Sequence, residues 1–164
     1  MLSDSIAIIP GSFDPITIGH VDVIRRASAL FERTWVAVVG NPAKDSLFSA
    51  DERVGLVRDA TKDLAGVDVV AFDGLTVDLA ARVGARWIVR GLRSVEDAID
   101  ELPMAHSNRR CGREEVETLF LPTSASLSFI SSRLVRQIAK YGGALDAFVS
   151  PGVEAALRAK FSAR

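Results

Sequence analysis

The sequence predicts a doubly wound α/β fold, with five parallel strands in one sheet and helices on both of its faces. Three observations predict it. Apolar runs of strand length recur at 6–9, 35–39, 67–72, 86–89 and 117–121. The segments between them carry the three- and four-residue spacing of amphipathic helices. Runs such as 67–71 and 87–89 read as buried on both faces, which suits a parallel sheet covered by helices. The 164 residues, 48% apolar and 25% charged, are enough for a full core and point to one domain over 1–164.

The first strand, "IAII", runs into "PGSFDPITIGH". Gly11 there permits a close backbone approach or an unusual dihedral, Ser12 and Asp14 offer turn and cap hydrogen bonds, and Pro15 fixes the chain on its way into a helix. Val21, Ile24, Ala27, Ser28 and Phe31 give that helix its apolar stripe. His20 falls in its first turn, where free N–H groups and the positive end of the dipole favour an anion. Spacing leaves two readings of His20 open, an anion ligand or a residue packed under the sheet edge. The second strand leads to "GNPAKDSLF", with Lys44 in a loop held by Gly40, Asn41 and Pro42. Ser49 and Glu52 then predict a capping box before a helix through Val54, Val57, Ala60 and Leu64.

The third strand is followed by "DGLT", and the fourth by "RGLRS", where Arg90 and Arg93 flank a glycine that lets backbone come close. Guanidinium groups suit phosphate oxygens through paired hydrogen bonds. Ser94 and Asp97 predict a second capping box. The fifth strand leads to "PTSASLSFISSRLVR", whose Ser128, Ser131 and Ser132 can cap a helix. The segment 144–164 reads as a closing helix, with Val153, Ala156, Leu157 and Phe161 at helical spacing.

In a doubly wound sheet ligands bind at the carboxyl ends of the strands. Two anion-friendly helix starts, one lysine and two arginines gather at such ends here, so a polyphosphate ligand is expected. Neither G-x-x-x-x-G-K-[ST] nor G-x-G-x-x-G occurs, which excludes the P-loop and the dinucleotide fingerprint. A formal net charge of −1 gives no overall basic surface, which disfavours nucleic-acid and membrane partners. The single Cys111 and an N-terminus without the regions of a signal peptide lead to the expectation of a cytoplasmic setting. His106, Cys111, and the cluster Arg109, Arg110 and Arg113 read as surface residues, and Trp35 and Trp87 as core.

"PGSFDPITIGH", with Thr17, Gly19 and His20 in the signature positions, resembles the T/H-x-G-H nucleotidyltransferases. Together with "NPAK", "RGLRS" and "FISSRLVR" in that order, it is similar to the phosphopantetheine adenylyltransferases over essentially the whole chain. The resemblance implies a Rossmann-like nucleotidyltransferase fold and transfer of the adenylyl group of ATP to 4′-phosphopantetheine. The products are dephospho-coenzyme A and pyrophosphate. Mg²⁺ is the usual cofactor, no protein metal ligand is expected, coenzyme A is a feedback ligand, and the assembly is a homohexamer. The same resemblance implies that His20, Lys44 and Arg90 are catalytic. It places Ser12, Phe13, His20, Gly91, Leu92, Arg93 and Glu101 at the ATP, along with Leu127, Ser128, Phe129, Ile130, Ser131, Ser132 and Arg133. Ser12, Lys44, Thr76 and Arg90 are placed at phosphopantetheine. Three positions depart from the family pattern: Ile18, Asp100 and Arg133. Two alternatives stay open: a sister enzyme transferring to nicotinamide mononucleotide or, with CTP, to glycerol phosphate, and a non-catalytic nucleotide or coenzyme A sensor.

Overall fold

The computed structural model describes residues 2–40, 46–112 and 115–162. Five parallel strands form one sheet in the order β3-β2-β1-β4-β5. They are β1 (Leu2–Gly11), β2 (Phe31–Val39), β3 (Val67–Phe72), β4 (Trp87–Leu92) and β5 (Glu117–Pro122). Between and after them run α1 (Ile18–Ser28), α2 (Ala50–Thr61), α3 (Thr76–Val83), α4 (Val95–Cys111), α5 (Ser132–Lys140) and α6 (Pro151–Ser162). Among the described residues no helix is long and apolar enough to cross a membrane.

Alternate residues of the central strands feed two cores. Ala7, Ile9, Val36, Val38 and Val89 face one side, where they meet Ile24 of α1, Val57 of α2, Val135 of α5 and Leu157 of α6. Ile8, Ala37 and Ile88 face the other and meet Val77, Leu79 and Ala80 of α3. Ile88 and Val89 are buried on opposite faces, as expected of the run 87–89, whereas 67–71 is not buried on both faces: it lies in the edge strand β3, whose residues are only partly covered, with Ala71 exposed. The α4 helix also packs against β4 and β5, yet none of its residues is buried.

The chain winds outward from β1 through β2 to β3, then returns to the other side of β1 for β4 and β5. That reversal makes the β1/β4 boundary the switch point, where doubly wound sheets hold ligands. Ala7 pairs with Trp87 and Ile8 with Ile88, and the ladder stops there although both strands continue. Beyond Ile8 and Ile88 the two strands part, and a crevice opens at their carboxyl ends.

Element boundaries correct the sequence reading at four places. Phe31 opens β2 and is buried against the tilted ring of Trp87, 6.2 Å between centroids. Its spacing from Ala27 fits a helix, but the Ala29 and Leu30 N–H groups close a last turn on Arg25 and Ala27 and release the chain into the strand. The fourth strand starts at Trp87 and continues through Arg90 to Leu92, so the "RGLR" segment begins inside the strand. Ser49 and Glu52 form the expected reciprocal box, whereas Ser94 caps α4 and the Asp97 carboxylate accepts from the Arg93 N–H instead. The closing helix begins at Pro151, after Leu145 and Val149 have been buried in a non-helical turn.

Candidate active site

The turn after β1 is held from both sides. A Cβ on Gly11 would stand 2.8 Å from the ring of Phe13, so of the two roles open to this glycine the structure uses close approach. Phe13 itself adopts a left-handed φ of 44°, costly for an aromatic residue and sustained only where surroundings over-determine it. Those surroundings are the buried ring, which packs edge-on against His20 at 5.3 Å, and the next residue, Asp14. The Asp14 carboxylate is 4% exposed and accepts the Leu47 N–H at 2.9 Å, the Phe48 N–H at 3.0 Å and Arg136 Nη1 at 3.0 Å. One side chain thus ties the β1 turn, the segment before α2, and α5.

Thr17 caps α1. Its hydroxyl accepts the His20 N–H, and its own N–H donates to His20 Nδ1 at 3.0 Å. This is a capping box with imidazole where Glu or Gln is usual. Because Nδ1 accepts a backbone proton, the neutral ring carries its hydrogen on Nε2. Burial, then the positive charges of Arg93 and Arg90, push the His20 pKa down to about 4. At neutral pH the ring is therefore an uncharged hydrogen-bond donor of fixed tautomer.

On the facing wall each arginine has a carboxylate. Arg90 forks onto Glu101 through Nε at 2.6 Å and through Nη2, and its Nη1 donates to the Pro10 carbonyl. The Ile8–Ile88 register sets Pro10 level with Arg90, which is why this side chain can staple β1 to β4 and α4. Arg93 forks onto Asp97 at 3.0 and 2.8 Å and reaches the Ile130 carbonyl at 3.4 Å. Burial alone would raise the Asp97 carboxyl, but hydrogen bonds from Arg93 and its charge hold it below the usual range. Gly91 brings β4 close to α1, since a Cβ there would meet Val23 at 3.0 Å.

The third wall is the start of α5. Ser131 is its N-cap, accepting the Leu134 N–H at 3.1 Å, and Ser132 donates to the Pro15 carbonyl at 2.8 Å. The N-termini of α1 and α5 therefore meet at the same turn. Arg133 faces the cavity and has no hydrogen-bond or ionic partner among the described residues.

These walls enclose a cavity of about 360 Å³. Of the residues expected from the sequence it brings together Ser12, Phe13, His20, Arg90, Gly91, Arg93, Glu101, Ser131, Ser132 and Arg133. Leu92, Leu127, Ser128, Phe129 and Ile130 lie behind or beside it: Ile130 is core, and Phe129 is exposed with its ring edge-on to Phe148. Thr76 opens α3 beyond β3, two strands from β1, and does not line the cavity. Lys44, with Asn41 and Pro42, lies outside the described residues, as does Arg113. Glu101 is turned to Arg90, which supplies its partner within the protein. Asp97, Arg136 and the buried Arg53 were not singled out as site residues in the sequence, because their partners lie at long range or, for Asp97, in a helix cap. Asp14 was legible as a turn residue, although its bonds run 33 and more residues away rather than locally.

No group of three or more His, Cys, Asp or Glu side chains is gathered among the described residues. The carboxylates that line the cavity, Asp14, Asp97 and Glu101, are each already paired with an arginine.

Comparison with known proteins identifies the family. The cytidylyltransferase-like family model matches residues 8–138. The phosphopantetheine adenylyltransferase of Gloeobacter violaceus is 50% identical over 96% of this chain and 97% of its own. That of Deinococcus radiodurans is 49% identical over 95% and 93%, and that of Lachnoclostridium phytofermentans 43% over 97% of both. A crystal structure from Vibrio parahaemolyticus, provisionally assigned as a nicotinate-nucleotide adenylyltransferase, superposes with a TM-score of 0.70 over 93% of this chain and 90% of its own. At 19% identity it bears on the fold alone. With its full-length relatives, its matching family model and its T-I-G-H turn at the switch point, this chain belongs to the phosphopantetheine adenylyltransferase family.

Proposed function

We propose that the chain, as a single domain over 1–164, transfers the adenylyl group of ATP to 4′-phosphopantetheine, releasing pyrophosphate and forming dephospho-coenzyme A. The observation that carries this reading is the neutral, tautomer-locked His20 set between two helix N-termini at the β1/β4 switch point. The phosphate of phosphopantetheine is already an ionised nucleophile, so no strong base and no covalent intermediate are needed. What the reaction needs is in-line alignment and stabilisation of charge at the α-phosphorus.

His20 Nε2–H donates to the α-phosphate as the transition state gathers charge. A donor that is neutral before and after the step has no proton to lose, and its orientation is fixed in advance by Thr17. Ser12 and the Phe13 backbone sit where the two substrates meet. Arg90, with two of its five N–H groups left over from Glu101 and Pro10, holds the incoming phosphate together with Lys44. Thr76, outside the cavity, is a contact for the far end of the pantetheine arm. Arg93 and the 127–133 segment take the nucleotide, and Arg133, without a partner among the described residues, reaches toward its β- and γ-phosphates. When bound with the nucleotide, Mg²⁺ would supply charge neutralisation for the leaving pyrophosphate, with no ligand from the carboxylates of this cavity. That fits a cavity whose own carboxylates are occupied, since Mg²⁺ keeps mostly water and phosphate ligands.

Coenzyme A shares the pantetheine and adenylyl parts of the product and competes for the same cavity. A homohexamer in the cytoplasm is the expected working form. The stripe Val95, Ile99 and Leu102 on α4, exposed at 77, 67 and 49%, supports assembly, because an apolar helix face of this kind is ordinarily covered. Incubation with ATP, Mg²⁺ and 4′-phosphopantetheine should release pyrophosphate. Absence of turnover at high enzyme concentration, or faster turnover with nicotinamide mononucleotide or with CTP and glycerol phosphate, would overturn the reading.

A further inference from the structure

Arg53, in the first turns of α2, points inward rather than to solvent and is 4% exposed. Its Nη1 donates to the Ser12 carbonyl at 2.7 Å and to the Val39 carbonyl at 3.1 Å, bridging the carboxyl ends of the adjacent strands β1 and β2. Its Nε is buried with no acceptor, and no carboxylate lies within ion-pair reach of it among the described residues. A guanidinium keeps its charge when buried. Leaving such a charge without a counter-ion is costly, and a protein core ordinarily excludes it or pairs it. Of the arginines that line the cavity, Arg90, Arg93 and Arg136 have carboxylates, and Arg133, which has none, is exposed to solvent rather than buried.

What Arg53 holds is the residue where both phosphates are to meet. In a trans peptide the C=O and the following N–H point in opposite directions. Fixing the Ser12 carbonyl on Arg53 therefore turns the Phe13 N–H away from Arg53, at a residue whose φ of 44° needs such support. That N–H has no acceptor among the described residues.

We propose that Arg53 is a positioning residue for adenylyl transfer, a buried cation without a carboxylate partner among the described residues, which fixes the Ser12–Phe13 peptide and lends its charge to the phosphates above it. This rests on the adenylyltransferase reading. Arg53 does not line the cavity, so it acts through Ser12 and through its field rather than by contact.

The test compares wild type with R53K, which keeps charge and donors, R53Q, which keeps donors alone, and R53M, which keeps length alone. Each is followed by kcat and KM from pyrophosphate release, by calorimetric binding of pyrophosphate, and by thermal melting. R53Q is expected to lower kcat about 10- to 100-fold with each KM moving less than about threefold, and R53K to recover to within about fivefold of wild type. Pyrophosphate should bind about threefold or more weakly to R53Q than to R53K. A folded R53Q with wild-type kcat, or R53K and R53Q equally slow, overturns the proposal. If R53Q does not fold, R53M takes its place, since an apolar chain suits a buried position. Should neither charge-free variant fold while R53K does, Arg53 serves stability alone and the proposal fails. If wild type itself releases no pyrophosphate, the adenylyltransferase reading falls and pyrophosphate affinity alone decides, equal values for R53Q and R53K overturning the role given to Arg53.

Discussion

The two sides of the cavity are built on opposite plans. On the β1, α1 and α5 side, functional groups are held by backbone: the half-buried His20 by Thr17, the buried Asp14 by two N–H groups, the half-buried Ser131 by its own helix. On the β4 and α4 side, Arg90 and Arg93 are half-exposed or exposed and held by carboxylates from a helix without one buried residue. Backbone partners fix direction and do not respond to a ligand's charge. Arginine–carboxylate pairs in contact with water are individually weak and can re-form around an anion. The first side is thus suited to setting the line of attack, and the second to accepting substrates of changing charge as the reaction proceeds.

The largest effect expected from breaking this contrast is His20→Ala. Turnover should fall roughly 10²–10³-fold while ATP affinity stays within about threefold, the pattern of a donor used in the transition state. Steady-state rates and calorimetry would check it, and equal losses in both would place His20 in ground-state binding instead. Asp14→Ala comes next. It strands two N–H groups and Arg136 at a buried position and should cost about 3 kcal/mol in urea unfolding, with Asp14→Asn costing less because one acceptor oxygen remains. On the other wall, Glu101→Ala frees the Arg90 fork. A rise of about fivefold in KM for phosphopantetheine, with kcat little changed, is expected from removing one oriented charge-assisted hydrogen bond. A drop in kcat as large as that of His20→Ala would erase the distinction between the walls.

The smallest effect concerns pH. His20 binds its proton at about pH 4 in the folded protein, against about 6.5 for a free imidazole. Between those values the unfolded chain holds the proton and the folded one does not. The stability contributed is thus complete above about 6.5 and is lost as pH falls toward about 4. Melting temperature followed across that window should slope upward with pH in wild type and less steeply in His20→Gln. Equal slopes would show that the folded imidazole titrates normally.

Much of this was legible in the sequence, for a definable reason. Five strands and the helices between them follow from runs and spacings a few residues long, and the T-I-G-H turn is local as well. Phe31 misled because one spacing fits two structures. The strand order was not legible, since nothing in a single strand says which neighbour it takes, and the β1/β4 boundary that places the site depends on that order. Arg90 was read as a phosphate ligand from its glycine neighbour, while its partner Glu101 lies eleven residues on, across a turn into α4. Arg53 gave no signal, because an arginine in the first turns of an exposed-looking helix is ordinarily solvated. Its partners are carbonyls, 14 and 41 residues distant, which every sequence contains.

The histidine in the capping box has a practical consequence. The imidazole that is to donate to the α-phosphate also completes the first turn of α1, so a replacement without a side-chain acceptor removes one capping bond along with the donor. Glutamine avoids this, because its side-chain oxygen is the ordinary occupant of that box and can receive the Thr17 N–H. His20→Gln would then be a silent enzyme with an intact pocket, a trap in which ATP and phosphopantetheine sit side by side unreacted long enough to be crystallised together.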